Sequence, residues 1–322
     1  MIRVFFAGSP AIAVPSLEAL AREDGVEIAG VLTNPDSPKG RSGTPEPTEA
    51  GYAAQKILQQ YEKRGRVLFP VLKPQKLDAP VREQISRLKP DLLVSFAYGR
   101  IFGPKFLALF PLGGINIHPS LLPKYRGPSP IQAAILNRDT VTGITVQRLA
   151  QEMDSGDILA VEQFQLTGGE TFGSLSAAVS QKSAVLLIKV LKDIAGGKAE
   201  GTAQDHGKAS FCSVIKKDDG IINWKMSACE IEARIRAFDP WPLCRTVHNG
   251  RQLFILKAGV FRDKDSSAKP ALVLGIDKQA GILVQTGEGI LAVKELQYQA
   301  KKALYFPDFL NGARDFEGSI LG

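Results

Sequence analysis

The chain has little of what builds disulfide or metal sites. Its 322 residues include three cysteines, three histidines and two tryptophans. Cys212, Cys229 and Cys244 are an odd number with no close pair, and with His248 they lack the short spacings of a zinc site. We therefore expect inert thiols, no disulfide framework and no bound metal.

Long apolar runs and a strong excess of one charge are also missing. Met1 to Phe6 is too short for a signal peptide and is typical of a first β-strand. We see no stretch that approaches the roughly 20 apolar residues of a membrane span. We therefore expect a cytoplasmic protein with no membrane partner.

Positive charge is present in moderate excess. The net charge is +7, and the residues from His206 onward hold 17 Lys and Arg against 13 Asp and Glu. This balance is compatible with a phosphate-backbone partner but does not establish one. For Lys216, Lys217, Lys301 and Lys302, a solvated surface is the alternative to an RNA contact.

The most informative segment begins with a strand pattern at residues 114–118. Gly-Ile-Asn-Ile-His alternates apolar with polar, so Asn116 and His118 project from one face. Pro128-Ser129-Pro130 then opens a predicted helix. The pair therefore lies at the C-terminal end of a strand, the edge where ligands bind in open α/β sheets.

An acidic turn at residues 153–157 follows a second predicted strand, residues 142–149, about one βαβ unit later. Folding back would bring Asp154 towards His118. An amide can donate to a developing oxyanion, an imidazole can move a proton, and a buried carboxylate can hold the imidazole. The pattern indicates acyl-group transfer; polar capping of a strand end is the alternative.

Two long motifs resemble a known family. Residues 116–123 read Asn-Ile-His-Pro-Ser-Leu-Leu-Pro, with Tyr-Arg-Gly at 125–127, and residues 151–159 read Gln-Glu-Met-Asp-Ser-Gly-Asp-Ile-Leu. Both resemble signatures of the 10-formyltetrahydrofolate-dependent formyltransferases. The resemblance implies that 10-formyltetrahydrofolate is the formyl donor and that no metal is needed.

The resemblance also implies roles for individual residues. The implied catalytic trio is Asn116, His118 and Asp154. The implied formyl-donor site includes Ser120, Leu121, Leu122 and Pro123, and the implied lining of the pterin pocket includes Phe96, Ala97 and Tyr98.

The length predicts two domains. We predict a catalytic domain at 1–195 with a doubly wound, Rossmann-like, mostly parallel sheet, and a linker at 196–210 that is polar and lacks an apolar period. In 211–322, Ser227 and Glu230 fit a capping box, and several short strands without intervening helices follow. The second domain is therefore predicted to be a small β-barrel of the oligonucleotide-binding (OB) type.

The second half resembles one branch of the family, the methionyl-tRNA formyltransferases. The resemblance rests on Ile-Lys-Lys-Asp-Asp-Gly at 215–220, Ile-Arg-Ala-Phe-Asp-Pro-Trp-Pro at 235–242 and Asp-Phe-Leu-Asn-Gly at 308–312. It implies initiator methionyl-tRNA as acceptor, with Lys216 and Lys217 as RNA contacts, and we expect a monomer.

A loop at 34–47 carries Lys39 and Arg41, which the resemblance implies contact the acceptor end. It departs from the family pattern after Arg41, and a free surface loop is the alternative.

Other acceptors remain open. A small phosphorylated amine such as glycinamide ribonucleotide needs backbone N–H donors at the first strand-to-helix turn, where Pro10 removes one. An amino-sugar nucleotide or water could also accept the formyl group with the same trio. A catalytically idle RNA-binding module would not need the trio at all.

Overall fold

The computed structural model describes residues 1–38, 43–265, 267–313 and 315–322. The chain forms two compact units. The first contains Met1–Pro130, Val141–Gln165 and Ser176–Cys212, and the second contains Ile131–Thr140, Leu166–Leu175 and Ser213–Gly322. The boundaries predicted at 195 and 211 stay a prediction.

The strands up to residue 165 begin and end as follows. They are β1 (Ile2–Gly8), β2 (Val26–Leu32), β3 (Ser37–Pro38), β4 (Pro45–Glu46), β5 (Val71–Leu72), β6 (Leu92–Phe96), β7 (Gly114–His118), β8 (Val141–Arg148) and β9 (Ile158–Gln165).

Within the described residues, seven of these strands form one sheet in the order β5-β2-β1-β6-β7-β8-β9. The chain runs outward from β1 to β2 and β5, then returns to β6 on the other side of β1, so the order reverses between β1 and β6. The pairings from β5 to β7 are parallel. The predicted Rossmann-like, mostly parallel sheet is therefore confirmed, and β6 alone separates its switch point from β7.

The strand that leads into the acidic turn runs opposite to β7. The connection from Asn116 to Asp154 passes through β8, which is antiparallel to β7. The register pairs Asn116 with Gln147 and His118 with Thr145. Because directly opposite residues share a face of the sheet, β8 contributes side chains beside the trio.

Helices lie between these strands along the chain, and one more follows β9. They are α1 (Val14–Arg22), α2 (Glu49–Lys63), α3 (Ala79–Arg87), α4 (Pro104–Leu107), α5 (Pro130–Leu136) and α6 (Phe172–Ala195). Thr48 and Asp78 cap α2 and α3 by accepting bonds from Gly51 N and Val81 N.

The helix α6 corrects the expectation about membrane spans. Among the described residues it is the one helix long and apolar enough to cross a bilayer by length and composition. Half of its apolar window is buried inside the fold, and Leu175, Val179, Leu187, Val190 and Leu191 are part of the core. The buried core helix of a soluble protein passes the same test, so the feature is weak evidence for a membrane span.

The core beside the switch point is aromatic. Phe5 packs with Phe110, and Phe102 and Phe106 continue the row towards Tyr98, with successive ring centroids 5.0–6.0 Å apart. These rings are buried together with Leu93 and Ile85. Burial of several large rings together stabilises the packing of β1 and β6 with the segment that follows β6.

The second unit is antiparallel. Its later elements are α7 (Ala228–Ala237), β10 (Cys244–His248), β11 (Arg251–Arg262), β12 (Val273–Asp277), β13 (Gly281–Gln285), β14 (Ile290–Tyr298), β15 (Leu304–Tyr305) and α8 (Phe306–Asn311). The described strands follow the order β10-β11-β14-β13-β12, and β15 pairs with β14. Ser227 and Glu230 form the capping box predicted for α7.

The last residues join the two outer strands of this sheet. Val273 N donates to Ser319 O at 2.9 Å, Leu321 N donates to Ala271 O at 3.0 Å, and Gly322 N donates to Val247 O at 2.8 Å. The tail thus lies between β12 and β10 and closes the sheet. This closure agrees with the small barrel predicted from the short strands.

Candidate active site

The structure brings Asn116, His118 and Asp154 together. Asn116 Nδ2 lies 3.4 Å from Asp154 Oδ1, and His118 Nδ1 lies 3.5 Å from Asp154 Oδ2. His118 is 4% exposed, and the Asp154 side chain is 12% exposed. The expected approach of Asp154 to His118 is confirmed, and the catalytic roles of the three stay a prediction.

The turn after β8 places Asp154. Asp154 has a positive φ of 54°, which few residues other than Gly, Asn and Asp adopt readily. Two residues later, a Cβ on Gly156 would overlap the carbonyl oxygen of Arg148, so only glycine lets the turn pass this close to the strand. Arg148 N donates to Asp157 O at 2.8 Å and ties the turn to the end of β8.

A backbone amide holds the Asp154 carboxylate from the other side. Gly127 N donates to Asp154 Oδ2 at 2.8 Å. Gly127 has φ 115°, and a Cβ there would overlap the carbonyl oxygen of Cys212. The second family-like motif and the Tyr-Arg-Gly segment are therefore joined through one short hydrogen bond to a charged group, which is stronger than a bond between neutral groups.

His118 has a partner that sequence reasoning missed. Its Nε2 lies 2.8 Å from the carbonyl oxygen of Tyr125, and because a carbonyl only accepts, this nitrogen carries a proton and donates it. The ring is thus oriented by a backbone carbonyl as well as by Asp154. Nδ1 is the nitrogen that faces the carboxylate.

The residues predicted for the donor site shape the loop after β7. Ser120 Oγ donates to Lys124 O at 2.6 Å, and Thr145 Oγ1 donates to Ser120 O at 2.7 Å. Leu122 N in turn donates to Thr145 Oγ1 at 3.2 Å. Ser120 and Leu122 are buried, whereas Leu121 and Pro123 are partly exposed. A role in binding the donor stays a prediction for all four.

The three residues predicted for the pterin pocket differ in exposure. Phe96 and Tyr98 are buried in the core, and the Tyr98 ring stacks on Phe102 at 5.5 Å. Burial raises the pKa of the Tyr98 hydroxyl, which has no hydrogen-bond partner among the described residues. Ala97 is exposed and has φ 51°. A ligand here would therefore contact Ala97 and backbone atoms, while the buried side chains of Phe96 and Tyr98 hold this segment in place.

The predicted RNA contacts are only partly described. Lys39 and Arg41 lie outside the described residues. Lys216 and Lys217 are exposed at the start of a single 3₁₀ turn, Lys217–Gly220. Their position leaves both ammonium groups open to a partner without establishing one.

A basic and aromatic cavity in the second unit was missed. It measures about 330 Å³ and is lined by Arg251, Tyr298, Lys301, Lys302, Leu304, Phe309 and Gly312. The Arg251 guanidinium lies 4.0 Å from the Tyr298 ring centroid, and Tyr298 stacks on Phe309 at 5.2 Å. Cations beside stacked rings suit single-stranded nucleic acid. The sequence showed only the Lys301-Lys302 pair, because Arg251 lies far earlier in the sequence, at the start of β11.

The cysteines lie in environments that suit inert thiols. All three are free, and burial raises the pKa of Cys244 to about 12 and also raises the pKa of Cys212. Across the described part of the chain, no group of three or more His, Cys, Asp or Glu side chains is arranged to hold a metal ion.

Comparison with known proteins gives two family matches that follow one another along the chain. The family described as "Formyl transferase" matches residues 1–191, and "Formyl transferase, C-terminal domain" matches residues 214–314. A curated protein of Treponema denticola named methionyl-tRNA formyltransferase is 48% identical over 319 residues, which cover 98% of each chain. A protein of the same name from Treponema pallidum is 43% identical over 97% of each chain.

A solved structure shares the fold at low identity. The N-formyltransferase of Helicobacter canadensis, in complex with folinic acid and dTDP-3-aminofucose, superposes with a TM-score of 0.64 at 22% identity. The match covers 91% of this chain and 99% of that one. At this identity the likeness concerns the fold alone.

Proposed function

This chain belongs to the formyl transferase family, and from that premise we propose that it transfers the formyl group of 10-formyltetrahydrofolate to the α-amino group of initiator methionyl-tRNA. The observation that carries the proposal is the 48% identity, over 98% of both chains, to a protein named for this reaction. We place the reaction in the cytoplasm, where translation begins.

The reaction exchanges one C–N bond for another. The neutral α-amino nitrogen of the methionyl group attacks the formyl carbon, and a tetrahedral intermediate with a negative oxygen forms. The bond from that carbon to the folate nitrogen then breaks, and the amine loses one proton while the folate nitrogen gains one. The site must therefore stabilise an oxyanion and move a proton between two nitrogens.

The trio suits both tasks. The Asn116 amide can donate to the oxyanion, a contribution on the order of 3 kcal/mol when the geometry is right. His118 acts through Nδ1, since Tyr125 O occupies Nε2, and its protonated form assists at the oxyanion and returns a proton to the leaving nitrogen. Asp154, 3.5 Å from Nδ1, stabilises that protonated ring and accepts the amine proton through water.

The donor and the acceptor approach from different parts of the chain. In the proposal, 10-formyltetrahydrofolate lies against Ala97 and the 120–123 turn, at the carboxyl ends of β6 and β7. The tRNA contacts Lys39, Arg41, Lys216 and Lys217, together with the cavity of Arg251, Lys301 and Lys302. A small acceptor would have no use for this second, cationic and aromatic site.

The experiment supplies purified protein with 10-formyltetrahydrofolate and, in separate reactions, initiator methionyl-tRNA, glycinamide ribonucleotide, an amino-sugar nucleotide, or water alone. Formyl-methionyl-tRNA should form far faster than any other product. Formylation of only the small amines, or only hydrolysis of the donor, would overturn the assigned acceptor while leaving the trio in place.

A further inference from the structure

A chain of buried polar side chains runs away from the carboxylate of Asp154. Gln147 Nε2 donates to Asp154 Oδ1 at 2.9 Å, and Gln204 Nε2 lies 3.2 Å from Gln147 Oε1. Gln204 Oε1 accepts from Arg126 Nε at 3.2 Å and from Arg126 Nη2 at 2.7 Å. Gln147, Gln204 and Arg126 are 1%, 6% and 3% exposed.

Gln204 also holds the backbone of the acidic turn. The two protons on its Nε2 are shared among Gln147 Oε1, Asp154 O at 2.9 Å and Gly156 O at 2.7 Å. One side chain thus binds the backbone of Asp154 directly and its carboxylate through Gln147. Both the position of the turn and the rotation of the carboxylate depend on it.

The groups at the two ends of this hydrogen-bond network determine which amide atoms donate and which accept. A guanidinium can only donate, so Gln204 must present its oxygen to Arg126 and its nitrogen to the turn. Carbonyl and ionised carboxylate oxygens can only accept, so Gln147 must present its nitrogen to Asp154 and its oxygen to Gln204. Neither amide can flip without placing two donors or two acceptors face to face, and at buried positions that is costly.

We infer that Gln147 and Gln204, anchored by Arg126, are positioning residues that hold the Asp154 carboxylate against His118 and Asn116. The inference rests on the proposed function for its catalytic consequence. The three side chains touch neither substrate nor reacting atoms; they act by keeping Asp154 in one rotamer, with Oδ2 towards His118. A carboxylate free to rotate would spend only part of its time in that geometry.

The two glutamines come from unrelated parts of the sequence. Gln147 pairs with Asn116 across β7 and β8, so the sheet register delivers it to the site. Gln204 lies in the stretch predicted to be a linker, which is held to the first unit by the bonds between Ile158 and Thr202. The chain beyond the family match at 1–191 therefore contributes a buried contact to the site.

The first test replaces Gln147. Gln147→Leu removes the donor to Asp154, and kcat should fall on the order of tenfold to a hundredfold with little change in KM, as expected for the loss of one hydrogen bond to a charged group. Gln285→Leu is the matched control, since Gln285 is a fully buried, hydrogen-bonded glutamine of the second unit. It should lose stability without a comparable loss of kcat.

Gln147→Glu tests the inference through the pH dependence of kcat. A residue that only stabilised the fold would not change this dependence. The introduced carboxyl can donate to Asp154 Oδ1 only while protonated; once ionised, it repels Asp154. Residue 147 contacts Asp154, which in turn faces His118 and influences Cys212. Through Gln204 the network continues to Arg126, whose Nη2 lies 3.2 Å from His206 Nδ1. The ratio of variant to wild-type kcat should therefore fall as pH rises, whereas the ratio for Gln147→Leu should not fall.

Gln204→Glu tests the second link while keeping Arg126 paired. The carboxylate still accepts from the guanidinium, but it cannot donate to Asp154 O, Gly156 O or Gln147 Oε1, so kcat should fall as in Gln147→Leu. A kcat within twofold of wild type in Gln147→Leu, or a pH-independent ratio for Gln147→Glu, would overturn the inference.

A spectroscopic readout separates the inference from the proposed function. The chain has three histidines, so the ring signals of His118 can be assigned by replacing the other two. They should move in Gln147→Leu and Gln204→Glu but not in Gln285→Leu, and unmoved signals would contradict the inference. Absence of formyl-methionyl-tRNA with the wild-type chain would instead overturn only the proposed function.

Discussion

His118 offers only one edge of its ring for proton exchange. Nε2 is committed to the Tyr125 carbonyl, while Nδ1 faces Asp154 at 3.5 Å. Backbone carbonyls leave no mark in a sequence, so the Asn116-x-His118 spacing indicated the pair but not the nitrogen that acts. The Asp154 rotamer decides whether a proton on Nδ1 finds a partner.

Replacing either member of the pair should therefore stop most turnover. In His118→Ala and Asp154→Ala, we expect kcat for formyl transfer to fall on the order of a hundredfold or more with the fold intact. Asp157→Asn, an exposed carboxylate of the same turn, is the control and should stay near wild type. Near wild-type turnover in His118→Ala or Asp154→Ala would refute their roles.

His248 predicts a pH dependence of stability. Burial holds its pKa below the usual 6.5; nearby Arg251 lowers it further and Asp315 opposes the change. As pH falls below about 6.5, the unfolded chain binds this proton first, so the free energy of unfolding decreases, by at most about 1.4 kcal/mol per pH unit. Above that pH the group contributes no slope.

Urea unfolding between pH 7.5 and pH 5.5 measures this effect. His248→Phe keeps the packing against Phe316, loses the hydrogen bond between His248 Nδ1 and the Tyr298 hydroxyl, and removes the titrating ring. The variant should be less stable at pH 7.5 and should lose less stability on acidification than the wild type. Equal slopes for the two proteins would contradict the assignment.

Among the elements, β7 shows what could be predicted and what could not. Its bounds, Gly114–His118, and the capping box of α7 follow from local alternation and spacing, and both are confirmed. The direction of β8 was not predictable, because alternation is the same in parallel and antiparallel strands. Gln147 was missed for that reason. Gln204 was missed because it reaches the acidic turn only through side-chain bonds to residues far away in the sequence.

The loop at Gly127 is the element most sensitive to one added methyl group. Gly127→Ala should push the loop away from the Cys212 carbonyl and carry Gly127 N away from Asp154. We expect a loss of kcat of about tenfold or more, because the bond is made to a charged group, and a loss of stability of roughly 1–3 kcal/mol from the strained backbone.

Gly65→Ala is the matched control for the loss of stability that comes from placing a side chain at a positive φ. Gly65 also has a positive φ, 62°, but a Cβ there would meet nothing within 4 Å. It should cost roughly 1–2 kcal/mol of stability and leave kcat unchanged. If Gly127→Ala also lost stability without losing kcat, the close approach of Gly127 to Cys212 would not matter for catalysis.

The whole molecule carries a net charge of +7, and its cations are spread along the chain rather than gathered in one run. Composition alone therefore could not locate an RNA surface. Folding gathers Arg251, Lys301 and Lys302 around the stacked rings of Tyr298 and Phe309. Binding of a phosphate backbone depends on how many cations lie close to the phosphates rather than on the total charge of the protein.

Replacing both Lys301 and Lys302 by Ala should weaken tRNA binding most at low salt. The slope of log K against log salt concentration should become shallower by about one for each phosphate that the protein no longer neutralises. Lys278→Ala, at an exposed turn of the same unit, should leave both affinity and slope unchanged. An unchanged slope in the double variant would remove this cavity from the RNA surface.

The hydrogen bonds made by residues 204–212 bear on how such proteins can be recombined. Gln204 binds the acidic turn, Ser210 O accepts from Arg126 N, and Cys212 N donates to Arg126 O. A chimera that joins two relatives near residue 195 would pair one parent's catalytic loops with the other parent's segment. A crossover after residue 212 takes the catalytic loops and residues 204–212 from the same parent. We therefore expect this crossover, rather than one near residue 195, to give active hybrids.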